Sequence, residues 1–288
     1  MPATLLSPEL SIRPLAERLG AEILDVDLSQ PLDNVVFAAI RGAFEQRLLL
    51  VFPDQHLDEA AQIAFSRRFG ALEIHVLNQY LDTRFPELYV LSNIGPDGKP
   101  RGQHPDRGTM LWHTDLSFTR VPSYATILYG VETAASGGDT LFADMLSAYE
   151  ALPDATRREI ADLRAVHDLA RSRIRSGDDP LTPEQQAKAP PVVHPLVRLH
   201  PNGRRGLYLG SHASHIDGWA QEAGEALLAR LLAHATEDRF VHRHRWHRGD
   251  LVMWDNRATL HRATSYDTGR DRRVVRRTVV TGEVPVAE

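Results

Sequence analysis

The chain has 288 residues, 42% of them hydrophobic, with a formal net charge of −5 and a pI near 6.3. That is enough apolar material for one large core, and the acidic balance argues against a nucleic-acid partner. With no cysteine in the sequence, disulfides, zinc–cysteine sites, iron–sulfur clusters and cysteine nucleophiles are excluded.

The N-terminal stretch lacks a long apolar core with a small-residue cleavage site, and no apolar run of roughly 18 residues occurs. The expectation is a cytoplasmic protein with no membrane partner. Alternating apolar and polar residues predict extended structure over 9–28. Asp33 is placed to cap a helix running to about Gln46, with Val36, Ile40 and Phe44 at helical spacing. Residues 48–52 form an all-apolar run that predicts a buried strand, and 57–69 a second helix stopped by Gly70.

Residues 71–110 are mostly loop around one apolar strand at 88–91, with a turn at 96–100 and a long loop over 95–109. Then comes Leu111-Trp112-His113-Thr114-Asp115. A strand follows over 125–131, and Ser136-Gly137-Gly138-Asp139-Thr140 is a tight turn into Leu141. Residues 147–170 read as mostly helical with a break at Pro153. Residues 172–191, polar and carrying four prolines, read as a mobile loop. A hairpin is expected over 192–210, an amphipathic helix over 222–236, and strands over 240–246, 251–254 and 272–280. Many short strands with a few helices between them predict a mainly β fold, a sandwich or barrel with α insertions.

His113 and Asp115 are two residues apart, and on an extended strand such positions share a face. One imidazole and one carboxylate then converge as two ligands of a divalent metal. Two stretches offer a third. His242 and His244 read better as an exposed, charged edge strand. His261, following a buried-looking strand and a turn at Asp255-Asn256, completes a two-histidine, one-carboxylate facial triad. That donor set suits non-haem Fe(II), and a hydrolytic zinc site has the same ligand count. In the strand over 272–280, Arg272 and Arg276 share one face about 13 Å apart, while Arg273 and Arg277 share the other. Two arginines four residues apart on one face could hold two different anions from one wall, since the planar guanidinium fork matches a carboxylate.

Together Trp112-His113-Thr114-Asp115, Gly137-Gly138-Asp139-Thr140, Trp254-Asp255-Asn256-Arg257, His261 and the Arg272/Arg276 pair resemble the TauD/TfdA (taurine/phenoxyacetate dioxygenase) family over about residues 12–283. The resemblance implies a single domain over 1–288 on a double-stranded β-helix (jelly-roll) fold, with lid loops at about 76–110 and 172–191. It implies Fe(II), 2-oxoglutarate and O2 as cofactor and co-substrates. Substrate hydroxylation would be coupled to 2-oxoglutarate decarboxylation to succinate and CO2. His113, Asp115 and His261 would be the iron ligands, Thr140 and Arg272 would hold the distal carboxylate of 2-oxoglutarate, and Arg276 the acidic group of a small anionic substrate. Trp112 looks like the family tryptophan near the metal or a core residue, and Trp254 and Asn256 would shape the turn presenting His261. Relatives of this kind are often dimers or tetramers, so a homo-oligomer is expected.

Residues 92–99, 210–218 and 243–257 look like the phenoxyacetate branch, in which an aryloxyalkanoate is cleaved at its ether. His75 falls where the taurine branch places a substrate-facing histidine, and Arg262-Ala263-Thr264-Ser265 is less basic than in the phenoxyacetate enzyme. His75, Lys99, His212 and His215 join Arg276 as candidate substrate contacts. The competing readings are a taurine, alkylsulfonate or alkyl sulfate dioxygenase of the same family, a zinc-dependent hydrolase on the same triad, and a binding protein without catalysis.

Overall fold

The computed structural model describes residues 10–75, 82–104 and 106–287. Two short strands, Ser11–Pro14 (β1) and Ala21–Leu24 (β2), pair antiparallel. Helix Asn34–Arg47 (α1) begins where the Asp33 carboxylate accepts from the Val35 amide at 2.7 Å, and it buries Phe37, Ile40 and Phe44 along one face. Leu49–Phe52 (β3) is buried throughout. Glu59–Arg67 (α2) is capped by Asp58, which accepts from Ala61 at 2.7 Å. Tyr89–Ser92 (β4), Ser123–Glu132 (β5) and Thr140–Asp144 (β6) follow, then the short helices Met145–Glu150 (α3) and Asp154–Ile160 (α4).

Next come Arg164–His167 (β7), Leu169–Ser176 (α5) and Pro183–Lys188 (α6). Then Val192–Pro195 (β8), Val197–Leu199 (β9), Arg205–Leu207 (β10) and Ala213–Ile216 (β11) lead to helix Gln221–Ala235 (α7). Val241–His244 (β12), Leu251–Asp255 (β13), Thr259–Ala263 (β14) and Val274–Thr281 (β15) close the chain.

Seven strands make one sheet in the order β1-β2-β3-β13-β5-β15-β4, antiparallel except for β2 against β3. A second sheet, β12-β6-β14, lies against it. The strand β13 shows how the period of two sorts a buried strand. Leu251 and Met253 pack towards α1 and α2 with Phe44 and Phe65, while Val252 and Trp254 pack between the sheets with Phe142, Leu128 and Val275. Side chains of this size, fully withdrawn from water, each stabilise by roughly 1.5–3 kcal/mol. The outer side of the second sheet, through Ala143 and Leu260, meets α3, α7 and the small sheets β9-β10 and β11-β7-β8. The mainly β expectation therefore holds, with helices covering both outer faces. Among the described residues no helix is long and apolar enough to cross a membrane.

Three local expectations need correction. Arg164–His167 is a strand, not part of a helix, because its Ala165 and His167 side chains are buried where β7 pairs between β8 and β11. The stretch 172–191 is not a structureless loop. It holds the end of α5 and all of α6, the latter started by a reciprocal cap between Thr182 and Gln185 with Pro183 in the first turn. His113 and Asp115 do not lie on a strand. His113 makes a single bridge to His261, and Asp115 opens a turn through Leu116, whose φ is 56°. Of the first expected lid, residues 76–81 and 105 lie outside the described residues, and the remainder includes β4 and a 3-10 turn, Arg107–Met110.

Candidate metal centre

His261 lies mid-strand in β14, and His113 is hydrogen-bonded to it across the bridge, so both imidazoles leave the same face. His113 Nδ1 lies 2.8 Å from the Leu111 carbonyl, which can only accept. Nδ1 therefore carries the proton, and the Nε2 lone pair is free for a metal. Nε2 of His113 lies 4.0 Å from Asp115 Oδ1, and Nε2 of His261 lies 3.7 Å from Oδ2. One ligand atom from each of the three residues falls within 4.8 Å of the others, and all three side chains are buried. Two imidazoles and a carboxylate on one side of a point, with the rest open, suit a divalent ion that must still take other ligands.

Asp115 is held from several directions. Arg277 Nη1 donates to Oδ1 at 3.0 Å and the Thr126 hydroxyl to Oδ2 at 2.6 Å. Burial alone would raise its pKa, but the Arg277 guanidinium and the two imidazoles outweigh that and hold it well below the usual carboxylate range. Burial first, then the nearby His113, pushes His261 well below the ordinary imidazole value. The carboxylate is thus anionic and His261 is neutral, the protonation states that metal ligation requires. Behind them, Asn256 Oδ1 accepts from the Asp115 amide and the Thr114 hydroxyl at 3.2 Å and from Trp254 Nε1 at 3.1 Å. Its Nδ2 donates to Thr126 at 2.8 Å. Asn256 lies in the turn before His261, as expected, and from there it also braces the Asp115 side of the triad.

Two cavities flank the triad and share His113, Thr109 and Arg277 as a common wall. One is lined by Thr140, His261, Trp254 and Arg273. There Thr140 accepts from Trp246 Nε1 at 2.9 Å. Arg273 is buried, its backbone amide pinned by Asn93 Oδ1 at 2.9 Å, and burial lowers its guanidinium from the usual value. The other is lined by His75, His212, Phe118 and Arg173. His212 has its ring 6.1 Å from that of His113 and Nδ1 2.9 Å from the Ser172 hydroxyl, and burial pushes it down to about 3. His75 is half-buried against Tyr89 and Phe118, and loss of water around it likewise pushes it down to about 3.

The structure places the other candidates elsewhere. Arg272 is exposed and paired with Glu132 at 2.6 Å. Arg276 points to the opposite side of β15, where it meets Glu59 of α2 at 2.9 Å, the Leu57 carbonyl at 2.7 Å and the Tyr129 ring. Neither reaches the triad. Alternation along β15 was read correctly, but the inward set is Arg273, Val275, Arg277 and Val279, because α2 covers the even face and satisfies Arg276 and Thr278. Lys99 sits in an exposed turn, its amide on Asp97 Oδ1 at 3.1 Å, and lines neither cavity. His215 lies on β11 with Nδ1 2.8 Å from Ser214, also away from the triad. Trp112 packs on the α7 side with Arg262 over its ring, not towards the cavities. β12 is an edge strand as expected, but it is not exposed throughout: His244 is buried and pairs with Asp250 at 3.2 Å.

Residues 11–279 match the model of the family described as "Taurine catabolism dioxygenase TauD, TfdA family". The alpha-ketoglutarate-dependent 2,4-dichlorophenoxyacetate dioxygenase of Cupriavidus pinatubonensis is 40% identical over 280 residues, covering 94% of this chain and 98% of that one. The (S)-phenoxypropionate/alpha-ketoglutarate-dioxygenase of Sphingobium herbicidovorans is 34% identical, covering 93% of each. Among solved structures, that of AAD-2 in complex with Mn(II) and N-oxalylglycine superposes with a TM-score of 0.86 at 37% identity, covering 96% of this chain and 98% of that one. The chain belongs to the TauD/TfdA dioxygenase family.

Proposed function

We propose that this protein is an Fe(II)- and 2-oxoglutarate-dependent dioxygenase that hydroxylates an aryloxyalkanoate at the carbon bearing the ether oxygen. The observation that carries this reading is the buried His113–Asp115–His261 cluster standing between two cavities, each with its own buried arginine. A hydrolytic zinc site needs one cavity and no second anion. The relatives named above act on 2,4-dichlorophenoxyacetate and (S)-phenoxypropionate with alpha-ketoglutarate, which supports the same pair of acids here. The two facing sheets support a double-stranded β-helix.

His113, Asp115 and His261 would hold the iron, with Arg277 and Thr126 keeping Asp115 ionised and oriented. When bound, iron with 2-oxoglutarate and O2 supplies the oxidising equivalents for C–H hydroxylation. Arg273 and Thr140 would take the distal carboxylate of 2-oxoglutarate, the guanidinium by charge and the hydroxyl by direction. This moves the role expected of Arg272 by one position. The other cavity would receive the substrate, with Phe118, Leu116 and Leu169 excluding water from the reacting carbon. Hydroxylation beside an ether oxygen yields a hemiacetal, which separates into a phenol and an oxo acid.

The test is substrate-stimulated succinate formation under air with Fe(II), across aryloxyacetates, aryloxypropionates, alkanesulfonates and alkyl sulfates. Stimulation by the aryloxy acids, with phenol release in equal amount, is expected. Equal turnover without O2, or with iron stripped and zinc supplied, would sink the oxygenase. Preference for a sulfonate or sulfate would move the chain to another branch.

A further inference from the structure

The Thr140 hydroxyl is itself held by a residue distant in the chain. Thr140 opens β6, is buried, and lines the same cavity as Arg273. Its Oγ1 accepts from Trp246 Nε1 at 2.9 Å. An indole N–H can only donate, whereas a threonine hydroxyl has two lone pairs and one proton to give. The bond therefore occupies a lone pair and leaves the proton uncommitted. Among the described residues the hydroxyl makes no other hydrogen bond, so no protein group there takes that proton.

Trp246 is placed for this contact by several neighbours. It lies in the connection 245–250 between β12 and β13. His244, the last residue of β12, stands opposite Thr140 in register, so the two side chains share a face. The His244 ring meets the indole edge-on, with centroids 4.7 Å apart. Gly130 of β5 lets the indole come close to that strand, since a Cβ there would stand 3.1 Å from Trp246 Cε3. The connection is clamped at its far end. The Asp250 carbonyl accepts from the Gly130 amide at 2.9 Å, and its carboxylate accepts from the His247 amide at 2.8 Å. The ring itself is buried in the same apolar cluster as Leu128 and Val275. Packing accounts for a large ring in that cluster. It does not account for the partner of the N–H, which is the one hydroxyl that lines the cavity of Arg273.

We propose that Trp246 is a positioning residue for 2-oxoglutarate. By giving its indole hydrogen to Thr140 it commits the threonine to donate, and the acceptor for that proton is the distal carboxylate. A hydroxyl donating to a carboxylate makes a charge-assisted bond, stronger than one between neutral groups. The proposal rests on the functional reading above and on the place given there to Thr140.

The experiment is a double-mutant cycle of Trp246→Phe and Thr140→Val in the full chain, with Mn(II) in place of iron. Calorimetric titration with 2-oxoglutarate reads the affinity without turnover. Thr140→Val should weaken binding by about 10-fold or more, and Trp246→Phe by about 3- to 10-fold. The double variant should bind within about twofold of Thr140→Val, because without the hydroxyl the indole has nothing to direct. Mn(II) affinity measured without 2-oxoglutarate should stay within about twofold in Trp246→Phe. In the iron enzyme the KM for the principal substrate should also stay within about twofold. If Trp246→Phe does not fold, benzothienylalanine at position 246, which exchanges only the N–H for sulfur, takes its place in the cycle. Unchanged affinity in the Trp246 variant, losses that multiply in the double variant, or a matching loss of Mn(II) affinity would overturn the assignment and leave the oxygenase reading intact. If wild type binds no 2-oxoglutarate, the functional reading fails and this proposal with it.

Discussion

His113 and His261 exchange both of their backbone hydrogen bonds, the His113 amide reaching the His261 carbonyl at 3.0 Å and the His261 amide returning to the His113 carbonyl at 2.8 Å. Residues opposed in this way put their side chains on one face, and the two rings lie with centroids 4.1 Å apart. Two histidines of the candidate site, 148 positions apart in sequence, are thereby fixed by main-chain geometry, independent of rotamer choice at any third residue (261 − 113 = 148). Only Asp115 has to be held by side chains.

That makes Asn256 the residue to remove. Asn256→Ala would leave the Asp115 amide, the Trp254 indole and Thr126 each short of a buried partner. Stability should fall by about 1–3 kcal/mol. Fe(II) affinity should fall by roughly 10- to 100-fold, since groups orienting a ligand matter nearly as much as the ligand. Thermal denaturation and metal titration read the two separately. Unchanged metal affinity would mean that Arg277 and Thr126 suffice to hold Asp115.

Gly210 approaches the same bridge from the other side. It has φ +125°, and a Cβ there would stand 3.1 Å from the Trp112 carbonyl oxygen and 3.2 Å from the His113 Cα. Gly210→Ala should cost roughly 1–3 kcal/mol through backbone strain and should also weaken metal binding by moving His113. A variant with normal melting temperature and normal Fe(II) binding would show that the 209–211 segment gives way freely.

The two neighbouring arginines just before β15, Arg272 and Arg273, should behave oppositely. Arg273→Ala is expected to raise the KM for 2-oxoglutarate by about 10- to 100-fold. Arg272→Ala, which loses an exposed pair with Glu132 and a bond to the Gly98 carbonyl, should leave it within about twofold. The reverse result would restore the even-numbered face of the strand to the site.

A pH effect on stability is expected away from the triad. Burial pushes the Asp255 carboxyl up, but Arg257 at 2.6 Å and His200 at 3.0 Å more than offset it, so its folded pKa lies below the ordinary value. A depressed carboxylate contributes stability that is present above its unfolded pKa, about 3.9, and is lost as pH falls towards the folded value. Asp255→Asn should therefore be destabilised by about 3–5 kcal/mol at neutral pH, with Arg257 left unpaired. The gap to wild type should narrow below about pH 4. Urea denaturation across pH checks this, and a constant gap would assign the loss to packing.

Several features were legible because chemistry and spacing agree locally. Asp33 and Asp58 cap their helices, β13 is apolar up to Asp255, and His113, Asp115 and His261 are metal-donor types that the fold brings together. The sequence by itself determined that the protein is mainly β, that it has this triad, and that arginines accompany it. It could not determine which arginines face inward. Over 273–280 the even set reads Val, Arg, Thr, Val and the odd set Arg, Val, Arg, Val, so either face could have been the buried one. The packing of α2 decided, because Glu59 and Ser66 sit where they satisfy Arg276 and Thr278. Arg173 was hidden for a related reason. Its helix lies in a stretch whose prolines read as loop, and only the docking of α5 against His212 turns a charged surface residue into a buried one. Donor identity is written in single residues, whereas the inward face of a strand or helix is set by what packs on its other side, and that partner is distant in the chain.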